Sequence, residues 1–288
     1  KAALHLASML SRSSSDNLVV ASVVPAPWIP GMARVDAEYR EFLDEAADGA
    51  LERARTNLPG DSPATFVRHI ARSAAVGLLE LAAEHEANLI VLGSSSHGSF
   101  GHIALGSVTD RLVHSSPVSL ALAPRGYRCK PDLKVARATA AYGGSAGADN
   151  LVVAAAGIAA SVGASLRIAS FAVWARPAYT TRLRTDSEDG VLEQWTDTMK
   201  RAASEAVAAV EGLSPAPAVE TVIGRGGSWA EALDDIGWDE GDVLVVGSSD
   251  LGPVARVFLG SRATKILRHS PVPGFVIPRG RSEELAHA

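Results

Sequence analysis

The sequence predicts two α/β domains, each built on a parallel sheet, and three observations carry that prediction. The segment from Gly93 to Ser107 returns without a gap from Gly247 to Ser261, and the match continues from Ser116-Pro117-Val118 and Ser270-Pro271-Val272 to Pro124-Arg125-Gly126 and Pro278-Arg279-Gly280. Before each copy of that segment stands an apolar run, Asn88 to Leu92 and Asp242 to Val246, with no polar alternation, as in strands covered on both faces. Strand-like and helix-like stretches then alternate through both copies, the pattern of a parallel sheet with right-handed crossovers. A chain of 288 residues is long enough for two such domains, read here as 1–127 and 130–281.

The elements follow in order. Asn17 to Val24 matches Ser165 to Val173 as a second strand, and Ala- and Glu-rich helices run from about Ala37 to Asn57 and Leu192 to Glu211. Strands near Ala64 to Ile70 and Ala218 to Ile223 are followed by helices from Ala74 to His85 and Ser228 to Ile236. After the glycine loop, Ser107-Val108-Thr109-Asp110 reads as a capping box in which the Ser107 hydroxyl accepts from the backbone near Asp110. Pro117 stops that helix, and Val118 to Leu122 forms the last strand. Copy two opens with a further strand-like run, Leu133 to Tyr142, a turn at Gly143-Gly144-Ser145, and a helix through Val152 and Ile158. Copy one begins at Lys1 inside the equivalent helix, so the expectation is a truncated front that lacks the first strand. In a doubly wound sheet that strand is central, and its loss leaves a slot or an exposed edge.

Composition narrows the function. Hydrophobic residues at 47% and charged residues at 20% are ordinary for a globular protein, and a net charge of −5 provides no positive field for DNA, RNA or anionic lipid. The expectation is no nucleic-acid partner and no membrane partner, since the longest apolar runs, such as Leu151 to Ala160, are about half of the roughly 20 residues of a spanning helix. The opening Lys1 to Leu10 imitates a signal peptide, but the repeat explains it better. A single cysteine, Cys129, excludes an internal disulfide and suits a reducing, cytoplasmic compartment.

The recurring glycines have a chemical rationale. Gly93 or Gly247 turns the chain off a buried strand, and Gly106-Ser107 or Gly260-Ser261 brings N–H groups and a hydroxyl to a helix N-terminus, where the dipole favours an anion such as phosphate. The plainer reading is that these glycines only make tight loops. Other candidates are weaker. Gly143-Gly144-Ser145 lacks the flanking residues of an adenylating loop. Gly224-Arg225-Gly226-Gly227-Ser228 lacks the third glycine of a dinucleotide fingerprint and reads as a turn with Ser228 as N-cap. His97 and His102 are not repeated in copy two, the eight histidines have no metal-ligand spacing, and no nucleophile elbow is present. Arg225, Arg256 and Arg262 form at most a basic rim.

These residues resemble the universal stress protein family in its tandem form, whose signature is Gly-x2-Gly-x9-Gly-[Ser/Thr]. The likeness covers nearly the whole chain and is most specific in Leu105-Gly106-Ser107-Val108, Ser115-Ser116-Pro117-Val118, Leu259-Gly260-Ser261-Arg262 and His269-Ser270-Pro271-Val272. It implies two flavodoxin-like domains of strand order 3-2-1-4-5, here the first without its first strand, paired as a pseudo-dimer. It also allows two chains to associate as a homodimer.

In a subset of such proteins ATP is bound. Carried over by motif, the resemblance makes Gly93, Ser94, Ser96, Gly98, Gly106 and Ser107 the nucleotide-binding candidates of domain one, with Val24 contributing backbone to adenine. Gly247, Ser248, Gly260, Ser261 and Val173 are their counterparts in domain two. The second motif glycine is replaced by Ser96 in one copy and Asp250 in the other, and Gly143 stands where ATP-binding members carry an aspartate. An aspartate beside a triphosphate repels it unless Mg²⁺ or Arg256 compensates. Domain one is therefore the better site for ATP, with or without Mg²⁺. The functional expectation is an adenine-nucleotide-binding regulator of the stress response in a bacterial cytoplasm. It is not expected to be an enzyme, although weak ATPase activity is left open. The alternative is a degenerate scaffold that dimerises or binds proteins without ATP.

Overall fold

The computed structural model describes residues 1–26, 33–60, 63–144, 148–174, 186–210, 212, 215–248 and 259–278. In chain order the elements are α1 (Ala2–Ser14), β1 (Leu18–Pro25), α2 (Ala33–Asn57), β2 (Ala64–Ala71), α3 (Ala74–Glu84), β3 (Leu89–Gly93), α4 (Ser107–Leu112), β4 (Ser119–Ala123) and β5 (Arg137–Ala141). There follow α5 (Ala148–Val162), β6 (Ser165–Val173), α6 (Asp186–Val210), β7 (Val219–Gly226), α7 (Trp229–Asp234), β8 (Asp242–Gly247), α8 (Ser261–His269) and β9 (Gly274–Ile277).

Domain two has the sheet order β7-β6-β5-β8-β9, which is 3-2-1-4-5 counted within the domain, and all its pairs are parallel. Its central strand β5 is shorter than the run expected from Leu133. The flanking ladders begin only where Ser165 and Asp242 meet Arg137, and the last bonds before them run from Ala136 N to Gly241 O and from Ser165 N to Ala136 O. Upstream, the Val135 N–H donates to Ser13 Oγ at 2.9 Å, so this stretch serves as a strap on α1 instead of a strand.

In domain one β1 pairs in parallel with β2, and β3 with β4, but no ladder joins β1 to β3. The described strands of domain one thus fall into two pieces. Helix α1 packs on β3, β4 and β1, and α3 packs on β1, β2 and β3, so both helices bridge the pieces. The close approach of α3 uses Gly77, where a Cβ would lie 2.6 Å from Val23 Cγ1.

The domains join edge to edge. β4 pairs antiparallel with β9, Leu120 with Val276 and Leu122 with Gly274, which makes one seven-stranded sheet and a pseudo-dimer within the chain. Side-chain alternation along these strands supplies two cores. Ala121, Ala123, Phe275 and Ile277 pack with Leu6 and Met9 of α1 and the alanines of α5 on one face. Leu120, Leu122 and Val276 pack with Leu112, Leu244 and Leu267 on the other. Both cores cross the domain boundary.

Helix starts follow local chemistry. Ser228 caps α7 as expected: its Oγ accepts from Glu231 N, and Glu231 Oε2 accepts from Gly227 N at 2.8 Å. Ser107 does not cap α4. Gly106 is the N-cap, its carbonyl accepting from Asp110 N at 2.7 Å, and no side chain caps that end. The loop delivers the chain into the helix one residue earlier than the capping-box pattern assumed, which leaves the Ser107 hydroxyl exposed.

A charge network lies under the amino ends of β5, β6 and β8. Asp242 is buried, and Arg137 holds it by two hydrogen bonds, of 3.1 and 2.6 Å. Arg167, also buried, donates to Thr139 Oγ1, Ile236 O and Gly237 O and stacks 4.7 Å from the Trp238 ring. Its Nη2 lies 3.6 Å from Asp242, a Coulombic contact beyond hydrogen-bond reach. Burial, then Arg137, pulls the Arg167 guanidinium below its ordinary pKa, and Asp242 raises that of Arg137. Removing this buried anion takes from buried Arg167 its nearest carboxylate and leaves Arg137 only the more exposed Asp239 and Glu220, so Asp242→Ala is expected to cost about 3–5 kcal/mol in urea unfolding. A loss below about 1 kcal/mol would mean that the network is dispensable.

The strap between the domains rests on α1 through Tyr127 Oη to Met9 Sδ, and Cys129 N donates to His5 Nδ1 at 3.3 Å. Burial, then Arg128, lowers the His5 pKa, so the fold favours the neutral ring that accepts this bond. The unfolded chain binds the proton more readily. The His5 contribution is therefore present above pH ~6.5 and is lost as pH falls through the lower folded value. Melting temperatures across this range are expected to fall toward acid more steeply in the parent than in His5→Gln.

Candidate functional site

The two glycine loops leave the carboxyl ends of the equivalent strands β3 and β8 and lead to a helix N-terminus, where ligands of open α/β sheets gather. In domain one the whole loop is described. Ser94 N donates to Ala123 O at 2.9 Å, and Ser94 Oγ accepts from Ala104 N at 2.8 Å. Ser95 N donates to Ala104 O, and Gly98 N to Ser95 O. Arg125 closes the far side: its N–H donates to His102 O, its O accepts from Gly101 N, and its guanidinium reaches Gly98 O. Phe100 is 76% exposed, yet its ring covers Gly126, where a Cβ would come within 2.2 Å of it.

The glycines divide into two kinds. A Cβ on Gly98 would lie 2.4 Å from Ala104 Cβ, so packing demands glycine there. Gly106 has φ −87 and ψ 173, ordinary extended backbone, and a Cβ would meet only Ser95 Cβ at 3.6 Å. Gly93 is similar, with Ala3 at 3.9 Å. Neither conformation nor packing requires glycine at 93 or 106. What the missing side chain provides is open backbone beside an uncapped helix end, the condition for cradling a phosphate.

The other candidates are placed as follows. Ser94 and Ser248 have equivalent structural duties, since Ser248 N donates to Ile277 O at 3.0 Å as Ser94 N does to Ala123 O. Ser96 and His97 are exposed at the loop tip, and Ser107 is exposed in the first turn of α4. Val24 is buried near the end of β1, in register with Ile70, and Val173 ends β6 opposite Gly226. In domain two Gly247 ends β8, and Gly260 is the N-cap of α8, again without a side-chain cap, followed by Ser261. Asp250, Arg256 and Ser145 lie outside the described residues.

Two contributors escaped sequence reasoning. Arg125 stood out only as part of a repeated Pro-Arg-Gly, and its hold on the loop depends on contacts distant in sequence. Arg262 was read as rim, but its Nη1 would lie 3.3 Å from a Cβ on Gly143, so the guanidinium covers the turn after β5. The signal lay in Gly143 itself, which makes room for a long side chain. Among the described residues no group of three or more His, Cys, Asp or Glu is placed to hold a metal ion, and no helix is long and apolar enough to cross a membrane.

The two kinds of glycine separate by mutation. Gly98→Ala is expected to lose about 1–3 kcal/mol through overpacking, whereas Gly106→Ala leaves the melting temperature within error of the parent. Equal losses in thermal unfolding would remove the distinction.

Comparison with known proteins agrees with this geometry. A sequence model of the Universal stress protein family matches residues 1–124 and 136–278. Universal stress proteins of Mycobacterium bovis and Mycobacterium tuberculosis are each 38% identical to the chain over 280 residues, covering 96% of it and 94% of theirs. The crystal structure of a universal stress protein from Archaeoglobus fulgidus matches with a TM-score of 0.61 at 20% identity, over 97% of this chain and 94% of that one.

Proposed function

The chain belongs to the universal stress protein family, and on that premise we propose that its first domain binds an adenine nucleotide as a regulatory ligand. The observation that supports this most is the pair Gly93 and Gly106, glycines that neither φ nor packing requires, beside an uncapped helix end. The N–H groups of Gly106, Ser107 and Val108 and the Ser107 hydroxyl would hold phosphate oxygens, and backbone near Val24 would meet adenine. Mg²⁺, when present with ATP, would offset the phosphate charge.

The proposed role is binding without turnover. Backbone donors and a hydroxyl that grip phosphate alike before and after bond cleavage lower the ground state as much as the transition state. Domain two suits the scaffold reading instead. Arg262 covers the turn at Gly143, and β9 supplies the edge on which the pseudo-dimer is built.

Calorimetric titration with Mg²⁺ and ATP tests this. Saturable binding is expected in the parent, weakened more than about tenfold by Gly106→Val and by Ser107→Tyr. Both positions have backbone and surroundings that accept a side chain, so melting temperatures should hold. No binding by the parent would leave the scaffold reading for the whole chain. Phosphate release above blank with Mg²⁺ or Mn²⁺ would overturn the assignment of binding without turnover.

A further inference from the structure

Across the β4–β9 join, the glycine loop and short helix of domain one interlock with α8 and β9 of domain two. Gly106 starts α4, and the Val113 carbonyl at the other end of that helix accepts from Leu259 N at 3.2 Å. Leu259 is buried and directly precedes Gly260, the N-cap of α8. In the opposite direction Ile103, from the loop of domain one, is only 2% exposed and reaches β9, where its Cδ1 would lie 3.2 Å from a Cβ on Gly274. That same Cβ would come within 2.1 Å of Leu267 Cδ1, from the last turn of α8. Val113 and Leu267 are equivalent positions of the repeat, each three residues before its Ser-Pro-Val. The two helix ends are thus reached by residues of the opposite domain.

Gly274 makes one half of this clasp possible. It stands where domain one has Leu120, a fully buried side chain, and the space such a side chain would need is taken by Leu267 and Ile103. Ile103 in turn lies between two bonds that shape its loop. The His102 carbonyl accepts from Arg125 N at 2.9 Å, and Ala104 N donates to Ser94 Oγ at 2.8 Å. Close-packed side chains transmit displacement instead of absorbing it, so a shift of Leu267 reaches both bonds through Ile103.

We propose that this clasp couples the glycine loop of domain one to the start of α8 in domain two, with Ile103 and Leu259 as positioning residues. A ligand that orders the loop then steadies Leu259, and by linkage whatever steadies α8 tightens the loop's hold on its ligand. With nucleotide as that ligand the coupling rests on the function proposed above, whereas the clasp itself holds without it.

Native-state hydrogen exchange on the 288-residue chain tests the clasp, because loop amides exchange through local opening. Leu267→Ala, a change confined to domain two, is expected to speed exchange at Ser95, Gly98 and Gly101 by about fivefold or more, the lower end of ordinary coupling between sites. Leu166→Ala, a core truncation in domain two away from the clasp, is expected to leave those amides at parent rates. From the other side, Ile103→Ala is expected to speed exchange at Leu259, and Ile103→Leu, which keeps the volume, to restore slow exchange. Unchanged loop amides in Leu267→Ala overturn the proposal, as does equal acceleration by Leu166→Ala, which would report general loosening. Where Leu267→Ala fails to fold, an unchanged Leu259 amide in Ile103→Ala overturns it. Mg²⁺ and ATP added to the parent are expected to slow exchange at Leu259, and ATP binding without that change overturns the coupling. A parent that binds no ATP overturns the nucleotide assignment instead, and the exchange rates of the variants still decide the clasp.

Discussion

A strand buried in the middle of a parallel sheet must find partners for its N–H and C=O groups on both edges, because no water reaches them. β5 meets this demand in domain two by pairing with β6 and β8 at once, and the rest of that domain is arranged around it. α5 covers it, Tyr142 at its end reaches α6 through a bond to Ala202 O, and the Asp242 network locks its amino end to its neighbours. In domain one the described strands fall into the pieces β1-β2 and β3-β4. Its pieces keep their internal ladders, but they communicate through helices instead of hydrogen bonds.

The antiparallel join of β4 and β9 links the two domains. It is short, yet it makes the two cores continuous, so that α1 of the first domain rests in a core shared with α5 of the second. Domain one thereby shares its core with domain two. The loop that carries the candidate nucleotide site leaves β3, which pairs with β4. Its shape is held on the far side by β4 and Arg125, which belong to the half anchored to domain two. The site is therefore built on the firmer piece of domain one.

The repeats also divide the work chemically. Among the described residues the buried charge network exists only in domain two, where Arg167 and Asp242 stand opposite Val19 and Asn88 of domain one. The open glycines of domain one contrast with Gly143 under Arg262 in domain two. The two repeats therefore differ in their buried charges and in what covers their glycines.

Much of this was legible in the residues. The repeated segment around Gly106 and Gly260, the unbroken apolar runs of β3 and β8, and the serine before α7 report their structure through local periodicity and capping, which depend on near neighbours in sequence. The length of β5 was not legible, because it is decided by where the flanking ladders at Ser165 and Asp242 begin. The N-cap of α4 was not legible either, since the loop path into the helix is set by bonds from Ser94, Ser95 and Arg125 to distant backbone. Which glycines are structural and which are open was settled by the neighbours they meet in space, Ala104 for Gly98 and almost nothing for Gly93. The sequence by itself determined the class, the duplication and the motif, because those rest on pattern. The edge-to-edge join and the cover over Gly143 were decided by tertiary structure, because each depends on contacts between segments far apart along the chain.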